Sequence, residues 1–293
     1  MDFVSFVLNL DRRVIYTIVA LCVVVPLVKP LSLPIDTTPE VEGIYDVIEQ
    51  LPAGSHVLVA GDFDPASKPE LFPMLEAVLA HCFEKDIHPH LLTLWPAGPG
   101  LMQRAIENQA AIYNKQSGTD YCFLGFRYGS AAVVLGMTGS VTETFTTDFY
   151  GTPTATMPIY EDVHRVADFD YIIDLAAGAT VEIWIAYGAE PQGVPMGASC
   201  TAVSAAGYYP YLQAGQITGL AGGMLGTAEY EVLLSRNYPD IQGDKSRPRP
   251  TGEATKGMDA QSAVHVFIVL SIIVANVCFY LSVRREREER RKA

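Results

Sequence analysis

Two carboxylates, Asp62 and Asp64, have the residue type and spacing best suited to metal or phosphate chemistry in this chain. They follow residues 56–60, a short apolar run that predicts a buried strand. In open α/β sheets ligands bind beyond the carboxyl ends of the strands, and two carboxylates there can hold Mg²⁺. The alternative is structural, because aspartate is also favoured in turns and as the residue that caps a helix start.

The Asp62–Asp64 spacing resembles the first motif of haloacid-dehalogenase-like phosphatases, which implies phosphotransfer. The chain departs from that family because no matching lysine or second acidic pair is evident. Residues 199–209 resemble the serine segment of signal-peptide-peptidase-type proteases, which makes Ser204 a candidate nucleophile. Alanines replace glycines of that segment, and a nucleophile needs a base within hydrogen-bond reach. We therefore assign no catalytic residue and keep Ser204, Asp62 and Asp64 as candidates only.

Glycines recur at helical spacing near the end of the central region. Gly215, Gly219 and Gly223 lie four residues apart, and Gly222 and Gly226 repeat that spacing. On one helix these residues would stack on one face, at a cost of about 1 kcal/mol each relative to alanine. Close approach of another helix or another subunit would explain that cost. Tight packing of the helix on the sheet of its own domain is the alternative.

Strand and helix patterns alternate along the central region that positions these residues. Short apolar runs predict strands at residues 56–60, 91–95, 120–126, 171–175 and 194–201, the last of the sheet. Periodic segments predict helices at residues 41–50, 69–86, 101–116, 181–187 and 202–234. Such alternation favours a parallel sheet covered on both faces. We predict an α/β domain at residues 40–236, with a three-layer Rossmann-like or flavodoxin-like, mostly parallel sheet.

Apolar runs at both ends predict N- and C-terminal transmembrane helices that flank this domain. The first span covers residues 14–34 and uses Leu31 and Leu33 to reach the required length, and the second covers residues 261–283. We predict that residues 1–13 form an amphipathic cytoplasmic segment and that residues 284–293 form a basic cytoplasmic tail. Residues 237–260 are rich in proline, glycine and charge, which predicts a linker. We interpret the first span as an uncleaved anchor, because no small-residue cleavage motif follows it. A cleaved signal peptide is the alternative.

The basic flanks predict the orientation. Arg12 and Arg13 precede the first span, and six lysines or arginines follow the second. The positive-inside rule then places both termini in the cytoplasm and the α/β domain outside it. The corresponding location is a bacterial inner membrane.

Charge and composition restrict the partners. Residues 31–258 contain 27 acidic and 11 basic residues, a net charge of −16, which disfavours binding to nucleic acid. The five cysteines have unrelated spacings that match neither a disulfide framework nor a zinc site. We predict no cofactor and no metal, and the expected partners are membrane lipid, other copies of the chain and other subunits of a membrane complex.

The opening residues 9–16 (NLDRRVIY), the early span ending in Pro26–Leu27 and the glycine-rich residues 215–231 resemble an uncharacterised family of bacterial two-span membrane proteins. The likeness covers most of the chain. It implies a membrane protein with an α/β domain and brings no assigned activity, cofactor or catalytic residue.

Three functions are compatible with these patterns. The favoured hypothesis is a structural subunit of an oligomeric bacterial membrane assembly, in which anchored α/β domains pack into a scaffold or ring. The second is an extracytoplasmic ligand-binding or sensor domain that uses the strand ends near Asp62, Gly125 and Ala177. The third is a membrane-anchored hydrolase.

Overall fold

The computed structural model describes residues 3–8, 10–238 and 252–292. The chain divides into two compact units, one formed by Ile35–Thr255 and the other by Met1–Pro34 together with Lys256–Ala293. Most of the predicted linker 237–260 lies outside the described residues. Its described end becomes helical at Glu253, eight residues before the predicted start of the second span.

The larger unit is built on a six-stranded parallel sheet with the strand order β3-β2-β1-β4-β5-β6. The strands are β1 (His56–Asp62), β2 (His88–Thr93), β3 (Cys122–Phe126), β4 (Tyr171–Ala176), β5 (Met196–Cys200) and β6 (Leu220–Gly222). The predicted α/β class is therefore confirmed. The prediction that residues 194–201 form the last strand is wrong, because β6 follows. Its three residues are too short a run to show a strand pattern.

Helices cover both faces of the sheet. The first five in chain order are α3 (Pro39–Gln50), α4 (Lys68–Glu84), α5 (Pro99–Tyr113), α6 (Ser130–Gly139) and α7 (Val141–Thr144). The next is α8 (Thr180–Ile183), which continues into a π-helical segment (Trp184–Ala189) and then into α9 (Glu190–Gln192). The last two are α10 (Ala202–Gln213) and α11 (Gly223–Asn237). Short 3₁₀ helices occur at Thr154–Thr156, Pro158–Tyr160 and Val166–Asp168. A proline in the first turn starts α3, α4 and α5, where its missing N–H and fixed φ suit a helix start.

Two hydrophobic clusters, one on each face, form the core. Helices α3, α4, α5 and α11 contribute to the cluster that contains Val57, Ile173 and Tyr230. Helices α6 and α10, with the segment that begins at α8, contribute to the cluster that contains Leu58 and Ile172. The strands are buried on both faces, as expected of a parallel sheet between two helical layers.

Two buried glutamates on α11 bind the backbone where the chain enters and leaves this unit. Glu229 accepts hydrogen bonds from the backbone N–H of Thr38 (2.8 Å) and from its hydroxyl (2.6 Å), just before α3. Glu231 accepts from the backbone N–H (2.9 Å) and the hydroxyl (2.7 Å) of Thr255 and from the N–H of Ala254 (3.2 Å). The Glu231 contacts satisfy N–H groups in the first turn of the next helix, which have no partner within that helix.

The smaller unit contains α1 (Phe3–Leu8), α2 (Arg12–Val28) and most of α12 (Glu253–Lys292). Among the described helices, α12 alone is long and apolar enough to cross a membrane, over Glu253–Arg285 with a mean hydropathy of 2.5. Helix α2 ends at Val28, so Leu31 and Leu33, which the predicted first span includes, lie outside the helix. Pro30 explains this end, because a residue before proline is driven out of the helical conformation and Lys29 is extended.

The residues after α2 wrap around one carboxylate. Asp259 accepts hydrogen bonds from the backbone N–H groups of Leu31 (2.8 Å), Ser32 (2.9 Å) and Leu33 (3.1 Å). Ser32 adopts a positive φ of 54°, which turns successive N–H groups toward the same anion. This contact joins the end of the N-terminal helix to α12 within the smaller unit.

Candidate functional site

The connectivity of the sheet reverses between β1 and β4, and two aspartates meet there. Strands β2 and β3 continue from β1 in one direction, and β5 and β6 continue from β4 in the other. Asp62 is the last residue of β1, and Asp174 is opposite Ala60 on β4. Because residues two apart on a strand share a face, both side chains lie on the face that packs against α6, α8 and α10. This is the position where open α/β sheets bind ligands.

The end of β2 orients one oxygen of Asp62. The backbone N–H of Leu94 donates to Asp62 Oδ1 at 2.5 Å, and the Thr93 hydroxyl donates to the same oxygen at 3.3 Å. Thr93 in turn accepts the N–H of Trp95 at 3.0 Å. These bonds leave Asp62 Oδ2 without a partner.

Neither carboxyl oxygen of Asp174 accepts a hydrogen bond. Its side chain and that of Asp62 are both 0% exposed, and the two carboxyl groups interact directly. Burial raises the pKa of both groups, and the neighbouring Asp62 charge raises the pKa of Asp174 further. These shifts favour a state in which one of the two carboxyl groups is protonated and donates to the other.

Thr180, the first residue of α8, faces this pair. It is 4% exposed, and its hydroxyl lies within interaction range of both carboxyl groups, lowering both pKa values. However, Thr180 Oγ1 makes no hydrogen bond of acceptable geometry. The site thus consists of two carboxyl groups and one hydroxyl in a fully buried environment.

The structure separates the predicted pair Asp62 and Asp64. Asp64 Oδ1 accepts the backbone N–H groups of Ala66 (3.0 Å) and Ser67 (3.1 Å), so it stabilises the turn before α4. These contacts agree with the alternative role for Asp64, in which the aspartate stabilises a turn. The partner of Asp62 is instead Asp174, from a strand more than a hundred residues away in sequence.

Ser204 lies in the first turn of α10, and its hydroxyl contacts the Thr201 hydroxyl at 3.1 Å. This contact pairs Ser204 with another hydroxyl group at the start of the helix. A hydroxyl is not the base that a serine nucleophile needs, so the geometry gives Ser204 no nucleophilic role.

Asp174 and Thr93 were missed by the sequence analysis. A signal for Asp174 was present, because it is the single charged residue in the otherwise apolar strand YIIDLA. A buried charge in such a run needs a partner and indicates a site. Thr93 has no comparable signal, since threonine is common in strands.

The five glycines do not share one helical face, so that prediction is wrong. Gly215 lies in the turn after α10, Gly219 precedes β6, Gly222 ends β6, and Gly223 and Gly226 lie in α11. A Cβ on Gly219 would lie 2.5 Å from the backbone oxygen of Glu40 and from the backbone nitrogen of Ile44. Close backbone approach within the domain therefore explains this glycine. The strand between the two helices was overlooked because the spacing matched a helical period.

The histidines at the opposite end of the sheet come together. His56 Nδ1 lies 2.9 Å from His90 Nε2, and the His56 ring also packs against His88. His90, in strand β2, is fully buried. Burial lowers the pKa of both His56 and His90, and nearby histidines lower it further.

Three helical segments on one face of the sheet carry almost no charge, although the neighbouring α7 and α9 contain Glu143 and Glu190. We define the charge-poor layer as α6, residues Thr180–Ala189 and α10. It contains one charged residue, Glu182. The opposite layer differs sharply, since α3 alone contains four acidic residues.

The charge-poor layer nevertheless exposes large apolar side chains. Val203 is 90% exposed, Leu135 52%, Tyr209 43% and Tyr187 41%. In α10, Tyr208 is the one fully buried side chain. Exposed apolar side chains on helices with almost no charge are typical of a surface that contacts another molecule.

Comparison with protein-family models, curated proteins and solved structures found no match to this chain.

Proposed function

We propose that the protein is a structural subunit of a homo-oligomeric membrane assembly and that the charge-poor layer forms the contact between subunits. The observation that supports this proposal most directly is the contrast between the two helical layers. Helix α10 has no charged residue, and its Val203 is 90% exposed. Such a helix face is unusual where it contacts only water.

Charge explains why a second copy suits this surface. The acidic residues of the domain give neighbouring copies a mutual repulsion, which a contact through α3 would increase. The charge-poor layer avoids that repulsion. Its exposed Tyr187 and Tyr209 add the aromatic character that is enriched in protein interfaces.

The proposal includes membrane anchoring at both ends, with α12 as one span and α2 as the other. After its two leading arginines, the remaining residues of the 17-residue helix α2 carry no charge. The bonds of Asp259 to the residues after α2 favour two helices that are held together. Basic residues at Arg12, Arg13 and the end of α12 favour cytoplasmic termini and a bacterial inner-membrane location, with the α/β domain outside the cytoplasm.

A matched pair of alanine substitutions tests the subunit contact. Ala206 on α10 and Ala111 on α5 are both exposed and lie on opposite layers. We expect Ala206→Asp to convert the full-length complex in mild detergent to smaller species, because a charge in an interface loses its hydration. Ala111→Asp should leave the mass of the complex unchanged. Light scattering after size-exclusion chromatography and crosslinking in native membranes measure the result.

A monomeric wild-type protein in both measurements would contradict the proposal. Equal dissociation by the two substitutions would also contradict it, because added negative charge rather than the charge-poor layer would then be responsible.

A ligand-binding domain is the second candidate. The Asp62–Asp174 pair at the reversal point of the sheet supports it, because buried, unpartnered carboxyl oxygens are unusual in a site with no ligand. The hydrolase hypothesis has no comparable support.

A further inference from the structure

Four buried oxygen atoms without hydrogen-bond partners converge at the end of β1 and β4. They are Asp62 Oδ2, both carboxyl oxygens of Asp174 and Thr180 Oγ1. Buried oxygens usually have partners, and four such atoms on three interacting side chains call for an explanation. We propose that Asp62, Asp174 and Thr180 form a binding site for one divalent cation of the Mg²⁺ or Ca²⁺ type.

The hydrogen bonds around the site divide the oxygens into two sets. Leu94 and Thr93 occupy Asp62 Oδ1 and fix the orientation of that carboxylate. The opposite oxygen, Oδ2, has no hydrogen-bond partner and is available to a cation. Contacts of this kind position metal ligands in many proteins.

Thr180 provides evidence independent of the two carboxylates. Its side chain is almost fully buried and faces both aspartates, although its hydroxyl oxygen has no partner. The hydroxyl hydrogen can interact with either carboxylate, which leaves the lone pairs of the oxygen available to a cation. A cation between the carboxylates would give it a ligand role.

Charge balance and donor chemistry determine the class of ion. Two buried carboxylates carry a charge of −2 when both are ionised, which a divalent cation neutralises without a retained proton. All four donors are oxygens, which hard cations prefer over the nitrogen and sulfur donors that suit zinc. Mg²⁺ is commonly held by one or two carboxylates, so a third acidic side chain is not required.

Contacts between neighbouring turns restrict access to the site. The turns after β2 and β4 touch each other, since a Cβ on Gly178 would lie 3.1 Å from the Trp95 ring. Both aspartates are 0% exposed. A cation therefore reaches the aspartates only through a local opening of the structure, and binding experiments need long equilibration.

Thermal unfolding of the full chain in detergent tests the site. The protein is treated with EDTA, dialysed and equilibrated overnight with Mg²⁺, Ca²⁺ or Mn²⁺ at constant ionic strength. We expect the wild-type midpoint to rise with cation concentration, because a ligand that binds only the folded state stabilises it. Electron paramagnetic resonance with Mn²⁺ should give about one bound ion per chain, the single-site case of that linkage.

Three substitutions distinguish this site from other cation effects. Asp174→Asn should weaken the apparent affinity by roughly tenfold or more, since even outer-shell changes cost about 10–100-fold. Thr180→Val removes only the hydroxyl ligand, so it should weaken cation binding while keeping the fold. This second variant keeps the test possible if Asp174→Asn does not fold. Asp64→Asn, on the neighbouring turn, should bind as the wild type does.

Two results would overturn the proposal. The first is a wild-type midpoint that no divalent cation changes, which would mean that the pair holds a proton only. The second is an equal rise in the wild type, Asp174→Asn and Thr180→Val, which would place the bound cation elsewhere.

Discussion

Asp62 and Asp174 lie on the same face of neighbouring parallel strands, with their carboxyl groups directed at each other. Burial raises the pKa of Asp62 from 3.8 to about 6 and raises the pKa of Asp174 well above 3.8. A carboxyl group with a raised pKa favours folding below its unfolded pKa, and that contribution is lost as the pH rises through the folded pKa.

In cation-free buffer, we therefore expect the wild type to lose stability relative to Asp174→Asn as the pH rises from about 4 upward, because Asp174 keeps its proton longer in the folded state. The asparagine amide donates to Asp62 as a protonated acid does, but it does not titrate. Urea unfolding of the full chain in EDTA at several pH values measures the difference, with Asp64→Asn as the control. A constant difference across this range would contradict the expectation.

His81 is held by two hydrogen bonds that predict the effect of removing a single hydroxyl group. Burial lowers its pKa to about 4, so the ring is neutral at pH 7. Nε2–H then donates to Glu49 at 2.8 Å, and Nδ1 accepts the Tyr230 hydroxyl at 2.7 Å. Tyr230→Phe should cost about 1–3 kcal/mol of unfolding free energy, because it leaves a buried acceptor without a donor.

Tyr238→Phe is the matched control, since its hydroxyl bonds to the partly exposed Glu49 at 2.8 Å. Water can replace that hydroxyl, so the loss should be smaller. Equal losses in the two variants would show that the buried acceptor on His81 is not responsible.

The lowered pKa of His81 also predicts that the folded protein loses stability in acid. A histidine whose pKa is lowered on folding resists protonation in the folded state, so its contribution to stability is lost as the pH falls from about 6.5 to about 4. His81→Gln should flatten this part of the stability curve, because glutamine does not titrate. Urea midpoints between pH 7 and pH 4 test it, and an unchanged slope would argue against His81 as the source.

Gly219 should tolerate no side chain. Its Cβ would lie 2.5 Å from backbone atoms of Glu40 and Ile44, a distance that requires α3 to move. Gly219→Ala is therefore expected to destabilise the fold by about 1–3 kcal/mol. Gly207→Ala is the control, because nothing lies within 4 Å of that position in α10.

Alanine at position 207 should be neutral or stabilising by up to about 1 kcal/mol, owing to its higher helix propensity. Thermal unfolding compares the two variants. A neutral Gly219→Ala would refute the close approach of α3.

The glutamates of α11 should protect different backbone amides. Glu231→Ala is expected to speed hydrogen exchange at Ala254 and Thr255, because it removes their shared acceptor. Glu229→Ala should instead affect Thr38. Each variant is the control for the other, and mass-spectrometric exchange that changes equally at both places would contradict separate roles.

Local patterns in the sequence were sufficient to predict the elements and the α/β class. The apolar runs at residues 56–60 and 171–175 become β1 and β4, because a strand buried on both faces must be apolar along its length. The C-terminal apolar run likewise becomes part of α12, since length and composition suffice to indicate a possible membrane span. Such features depend on near neighbours in the chain.

The strand order and the candidate site were decided by tertiary structure. Asp62 meets Asp174 only because β4 pairs with β1 after three intervening crossovers, and no periodicity encodes that pairing. The glycines of residues 215–226 show the same limit, because their spacing matched a helix while pairing with β5 drew residues 220–222 into the sheet. Long-range packing free energy determines such pairings and can override the local pattern.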